Sequence, residues 1–237
     1  MLIRFDAIVI HFFTVIMKEL IYIETLFGPS PIGIRSERYE LKECPNKEAD
    51  SVIIKYHYSG KATKNRFKSF SVNDGKGYLQ LGYGIRPEMK HTISKHIKKG
   101  NYAEFDRMWL SDELPKYSES QVISLLISYI KQVYPKIKFI ITYADESVGN
   151  KGIIYQATNA IKLDWVYVDF YQLPSGERIH PVTMWHRHKT RAWATMQRLY
   201  PGIKHIKRSY KQFRYLYVLN KKYAKEVSRE IRNAHQH

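Results

Sequence analysis

The chain has 237 residues, 44% of them apolar, enough for one large domain with a real core or for one domain with an extension. Its single cysteine, Cys44, excludes an internal disulfide and a cysteine-based metal cluster, and suits a reducing compartment. Lys and Arg outnumber Asp and Glu by 39 to 22, and Gly176–His237 holds 15 of those cations against three acids, so +12 of the +17 net charge lies in the last 62 residues, a basic face interleaved with tyrosines that draws polyanions such as nucleic acid.

Residues 7–17 are apolar apart from His11 and Thr14. The run is too short to span a bilayer, is flanked by charges, and is followed by no small-residue cleavage site, so the chain reads as soluble and cytoplasmic, with no membrane segment. Met17 offers a second start. Tyr22–Leu26 reads as a strand closed by Gly28–Pro31, and Arg38–Leu41 as another. Pro45 opens a helix to Tyr56 with Ala49, Val52, Ile53 and Tyr56 on one face, ending in His57-Tyr58-Ser59-Gly60. Phe67–Val72 and Tyr78–Ile85 flank Asn73-Asp-Gly-Lys-Gly77, a hairpin signal. Pro87–Gly100, polar and basic, reads as a short helix and a mobile segment. Tyr102–Leu110 alternates as a strand.

Ser118-Glu-Ser-Gln121 has capping-box spacing, and Val122, Leu125, Leu126, Tyr129, Ile130 and Val133 continue an apolar helical stripe that Pro135 stops. A strand at Lys138–Ala144 ends on Asp145, a loop with Gly149 and Gly152 follows, and residues 153–160 read as the first turns of a helix. Leu163–Leu173 alternates as a strand turned by Pro174–Glu177. His180-Pro181 leads into one basic helix over Thr183–Leu199, then a strand at Arg214–Leu219 and a helix at Lys221–Asn233. The expected division is an extension at 1–37, a catalytic body at 38–219 with a basic insertion at about 178–212, and a C-terminal basic helix at 220–237.

This order predicts an α+β or α/β body, a mixed central sheet with flanking helices and one strand-helix-strand crossover. It is also the element order of the GCN5-related N-acetyltransferase fold. Open α/β sheets bind ligands at the carboxyl ends of their strands. An acid at such an end (Asp145), a glycine loop, and a following segment with Tyr155 and Asn159 therefore make a candidate site.

The same stretch, Asp145, Gly149-Asn150, Gly152 and Tyr155-Gln-Ala-Thr-Asn159, resembles the signature of the Mom proteins of bacteriophages. His57-Tyr58-Ser59-Gly60, Phe105-Asp-Arg107, Ser118–Ser120, His180-Pro181-Val-Thr183 and Arg214-Tyr-Leu-Tyr217 support the resemblance, which runs from about Arg38 to Leu219. Two positions depart from the family pattern: Ala160-Ile161 stand where an aromatic is usual, and Met184–His188 replace a tyrosine-glycine pattern.

The resemblance implies an acetyltransferase-like enzyme that transfers a carbamoylmethyl-type group to the N6 amine of adenine in DNA and so shields phage DNA from restriction. Carried over residue by residue, it implies Asp145, Tyr155 and Arg107 as catalytic, with His57, Tyr58, Ser118, Ser120 and Asn159 around substrate and donor. The N6 lone pair is delocalised into the ring, so a base at Asp145 and an acid at Tyr155 would help; Arg107 would hold an anionic donor or orient Asp145. Reaching N6 in a duplex generally requires flipping the base. Lys189, Arg191, Arg198, Lys204, Lys207, Arg208 and Lys211 are the candidate DNA contacts.

No residue names the donor. Leu114–Gln121 lacks the glycines of a coenzyme A pyrophosphate loop, although a helix N-terminus beside Lys116 suits an anion. His186 and His188 point to different helix faces, so no metal is expected. Two other readings stay open: an acyl-coenzyme A-dependent N-acyltransferase acting on tRNA or a protein amine, and a non-catalytic DNA-binding anti-restriction protein.

Overall fold

The computed structural model describes residues 18–84 and 92–234. The apolar run at 7–17, residues 85–91 and residues 235–237 lie outside the described residues. Ten strands form one sheet in the order β1-β2-β3-β4-β5-β6-β7-β10-β8-β9. They are β1 (Glu19–Thr25), β2 (Gly28–Arg35), β3 (Glu40–Cys44), β4 (Arg66–Val72), β5 (Gly77–Gly82), β6 (Tyr102–Leu110), β7 (Phe139–Asp145), β8 (Ile161–Gln172), β9 (Arg178–Ile179) and β10 (Lys204–Val218). The helices are α1 (Asn46–Tyr56), α2 (Ser118–Val133), α3 (Ile153–Ala157), α4 (Pro181–His188), α5 (Trp193–Leu199) and α6 (Lys221–Ala234). The mixed sheet with flanking helices is the architecture expected from the element order.

Every strand pair is antiparallel except β6 and β7. Parallel neighbours cannot be joined by a tight turn, and α2 is the crossover between them. Its stripe of Val122, Leu125, Leu126, Tyr129 and Ile130 is buried against one face of the sheet, over Ile34, Phe70, Leu79, Phe105 and Ile140. Alternation sends the intervening side chains to the other face. There Phe139, Ile141 and Leu216 meet Val227 and Ile231 of α6, while Tyr78 meets Ala49 and Ile53 of α1.

Several expectations need correction. Gly28–Pro31 is the start of β2 rather than a closing turn, because a bulge at Ile21/Tyr22 accommodates two prolines that cannot donate to the ladder. The strand expected at Arg38–Leu41 begins at Glu40. Residues 92–100 run mainly as turns. Ser118 is no capping-box residue: Tyr117 precedes the helix at φ 69°, and the Ser118 Oγ turns to the Pro115 carbonyl and the Tyr39 hydroxyl.

The single basic helix expected over 183–199 is two helices, α4 and α5, broken at Lys189 with φ 57°. Met184 and Met196 explain the break. Twelve positions apart on one straight helix, they would face roughly 120° away from each other. Separated, both reach the small core of Tyr171, Ile179 and Ile203. The last strand is also longer than expected. β10 begins at Lys204, so residues 204–212 belong to the sheet rather than to an insertion. A bulge between Ile206 and Tyr210, with Arg208 at φ 49°, interrupts the alternation that would reveal a strand. The described part of the 1–37 segment supplies β1 and β2, and α6 packs on the same sheet.

Candidate active site

β6 and β7 pair only over Tyr102–Phe105 and Phe139–Thr142. Further along, β6 stays with β5 and β7 with β10. The parting coincides with a bulge in β6: Leu81 lies opposite Phe105 and Gln80 opposite Arg107, leaving Asp106 as the extra residue. A bulge bends its strand and opens the pairing.

Tyr155 of α3 sits at this parting, 8% exposed, against Phe105 and Tyr215 with ring centroids 6.3 and 5.3 Å away. Burial raises its pKa; a hydrogen bond with Thr142 and the Arg107 charge oppose the shift. Gly152 makes the close approach possible. It lies at φ 69°, and a Cβ there would meet the Tyr215 ring at 2.3 Å. The Tyr215 hydroxyl donates to the Lys151 carbonyl and locks the loop.

Asp145 ends β7 half-buried. Its Oδ1 accepts from the Ser147 backbone N–H at 2.8 Å and from the Ser147 hydroxyl at 2.6 Å, capping a 3-10 turn at Glu146–Val148. Asp145 is thus a turn cap as well as a candidate base, and its other oxygen carries the remaining accepting capacity. Burial and then the Asp145 charge push the Tyr210 hydroxyl up to about 12, while Ser147 hydrogen-bonds it. Tyr58 is also raised, by desolvation first and then by Asp145, with Arg107 opposing; its ring is 58% exposed, so solvent screens the effect.

Arg107 donates to the carbonyls of Lys61 and Asp106, which aim its guanidinium across the loop after α1. There it faces His57, whose pKa falls to about 4 through burial and then through the Arg107 charge. The His57 Nδ1 accepts from the Ser59 N–H at 3.1 Å, so the neutral ring carries its proton on Nε2. At neutral pH His57 can donate a hydrogen bond but supplies no positive charge.

Asp145, Tyr155, Arg107, His57 and Tyr58 therefore converge, while the other three candidates stand apart. Ser118 is 2% exposed and bonded to Tyr39 at 2.7 Å. The Ser120 Oγ donates to the Tyr117 carbonyl at 3.0 Å. Asn159 follows a one-turn helix, exposed and left-handed at φ 66°, as a helix-closing residue. Tyr210 is a further side chain beside Asp145 that the sequence reading did not single out for the site. It sits in a basic run and joins the site because β10 lies against β7, with Gln212 directly opposite Asp145.

Beside this cluster is a cleft of about 560 Å³, lined by Tyr56, His57, Tyr58, Trp109, Glu119, Asn150, Lys151 and Ile153. Tyr56 and Trp109 stack at 4.9 Å along its wall. A second cleft of about 370 Å³, at the start of α2, includes Lys116 and Ser118 and shares Leu110 and Glu119 with the first. Lys151 lines the first cleft and Lys116 the second. Among the described residues there is no group of three His, Cys, Asp or Glu side chains suited to a metal ion.

Six of the seven candidate DNA contacts are exposed: Lys189, Arg191 and Arg198 around α4 and α5, Lys204 at the start of β10, and Lys207 and Arg208 in its bulge. Lys211 is half-buried, its Nζ 4.4 Å from the Trp165 ring centroid. Among the described residues no helix is long and apolar enough to cross a membrane.

The model of the Mom protein family matches residues 38–236. The protein named methylcarbamoylase Mom, from Escherichia phage Mu, is 30% identical over 203 residues, covering 84% of this chain and 83% of that one. Similar solved structures include the ribosomal-protein-S5-alanine acetyltransferase of Vibrio fischeri, with a TM-score of 0.46 at 8% identity, covering 80% of this chain and 98% of the other. The spermidine N-acetyltransferase of Vibrio cholerae gives 0.43 at 8% identity, covering 77% and 96%.

Proposed function

Because the chain belongs to the Mom protein family, we propose that it is a transferase that modifies DNA by placing a carbamoylmethyl-type group on the N6 amine of adenine, and that it works on DNA inside the host cell. The observation that carries this reading is the convergence of Asp145, Tyr155, Arg107, His57 and Tyr58 where β6 and β7 part, beside a cleft large enough for a nucleobase or a small donor.

In the proposed reaction the N6 lone pair attacks the electrophilic carbon of the donor, and the bond from that carbon to its leaving group breaks. The second oxygen of Asp145 accepts the proton lost from N6, while Ser147 holds the carboxylate in place through Oδ1. Tyr155, kept protonated by burial, donates to the leaving group. Arg107 offsets negative charge that develops on the donor. His57, neutral and proton-bearing on Nε2, is a hydrogen-bond donor to substrate. The basic surface around α4, α5 and the β10 bulge holds the phosphate backbone, which offsets the cost of extruding the adenine, about a few kcal/mol.

Expression in bacteria followed by digestion of the DNA to nucleosides tests the reading. Mass spectrometry should find a heavier deoxyadenosine. Unaltered nucleosides from well-expressed, folded protein that still binds DNA would instead support the non-catalytic reading. Modified tRNA or protein amines would support the other acyltransferase reading.

A further inference from the structure

We infer that one face of the β8–β10 ribbon is a stacking platform for unpaired DNA bases, formed by Trp165 and Tyr167 beneath Lys211 and Arg208. The inference rests on the DNA reading above for the identity of the polyanion and adds how an unpaired strand is held.

Trp165 and Tyr167 are two positions apart on β8, so both project from the same face, about 6.7 Å apart along the strand. They are 44% and 47% exposed, so each offers much of its ring to solvent. Phe213 lies directly opposite Trp165, and Lys211 opposite Tyr167. Each ring carries a cation: the Lys211 Nζ is 4.4 Å from the Trp165 centroid, the Arg208 Cζ 5.3 Å from that of Tyr167, and the Lys162 Nζ 5.2 Å from that of Phe213.

Charge decides between possible occupants. Three acids lie at the ribbon: Asp164 pairs with Arg214, Asp169 accepts from the Arg208 backbone N–H, and Glu146 accepts from that of Lys211. Lys162, Arg208 and Lys211 pair with no acidic side chain among the described residues. The strip is therefore aromatic and bears side-chain cations, Lys162, Arg208 and Lys211, that sit over its rings rather than in ion pairs. A second copy of a chain with +17 net charge would meet like charge there. A single DNA strand supplies what the strip lacks, phosphates for the cations and base faces for the rings.

The platform lies beside an open edge of the sheet. β9 pairs with β8 only at Tyr171 and Gln172, so Ile161–Phe170 keep one edge unpaired among the described residues. Lys211 is followed by Gln212, which pairs with Asp145 of β7, so by alternation the platform and the candidate base point to opposite faces of the sheet.

The test is anisotropy of a labelled oligothymidylate strand and of the corresponding duplex, for wild type and for Trp165→Ala, Trp165→Phe and Tyr167→Ala. Each alanine variant should bind the single strand at least ten-fold more weakly, equivalent to about 1.4 kcal/mol, with an unchanged salt slope because no cation is lost. Trp165→Phe should recover most of the affinity. Unchanged binding by both alanine variants, a phenylalanine variant as weak as the alanine, a reduced salt slope, or a wild-type dimer that Trp165→Ala dissociates would each overturn the platform. The nucleoside assay keeps the two readings distinct. Modified adenine with unimpaired single-strand binding by the alanine variants sinks only the platform; absent modification with the expected binding losses sinks only the catalytic reading.

Discussion

Two adjoining regions of the sheet use the same residue types to opposite effect. Where β6 and β7 part, Tyr155 and Tyr215 are buried, their hydroxyls tied to Thr142 and to the Lys151 carbonyl. On β8 and β10, Trp165 and Tyr167 stand exposed under cations. Burial turns an aromatic hydroxyl into a positioned proton carrier; exposure turns a ring into a surface for bases. The difference is made by neighbouring elements: α3 closes over the first region, whereas Trp165 and Tyr167 are left exposed between the parts of β8 and β10 that α4 and α6 cover. The proposed reaction needs both, a dry place for proton transfer and a wet, positive one for DNA.

Substitutions that act on one region and spare the other sharpen this contrast. The largest effect is expected from Asp145→Asn, which removes the proton acceptor and keeps an oxygen for Ser147. Modification of adenine should fall by about 10²–10⁴-fold, read by single-turnover nucleoside analysis, with DNA affinity retained. Modification at the wild-type rate would move the base elsewhere.

Gly152→Ala should come next. Its Cβ would strike the Tyr215 ring, and its φ of 69° disfavours any side chain, so denaturant unfolding should show a loss of about 1–3 kcal/mol. A neutral result would mean that the loop gives way without disturbing Tyr155.

On the basic side, Arg198→Glu combined with Lys207→Glu should weaken duplex binding and lower the slope of log affinity against log salt by about 2, with thermal stability retained because both side chains are exposed. An unchanged slope would place the DNA on another face.

The smallest effect belongs to His57. Its folded pKa, about 4, lies below the ordinary histidine value of 6.5, so between those pH values the unfolded chain binds more protons than the native protein. Stability should therefore rise with pH across that window and be unaffected by His57 above it. The His57→Gln variant should show a shallower dependence of Tm on pH between 4 and 6.5. An identical slope would show that His57 titrates normally.

The regular elements were legible where periodicity was undisturbed. α2, β6 and β8 follow from stripes of apolar or alternating residues, and the β4–β5 hairpin from its Asn-Asp-Gly turn. Prolines concealed β2, and the bulge at 207–209 concealed the first half of β10. Local pattern also did not show that Ser118 faces Tyr39 or that Asn159 closes a helix, because both depend on partners distant in the chain or on the backbone turn itself.

By itself the sequence determined the family, the basic asymmetry, the central crossover and the run from Asp145 to Tyr155, because these rest on residue identity, charge and period along one stretch of chain. The tertiary structure decided which residues meet. Arg107, His57 and Tyr58 come from separate elements, Tyr210 joins Asp145 through the register of β10 on β7, and Tyr155 fits only because Gly152 leaves room for Tyr215. Such contacts depend on strand order, bulges and side-chain burial, which arise only when distant segments pack together.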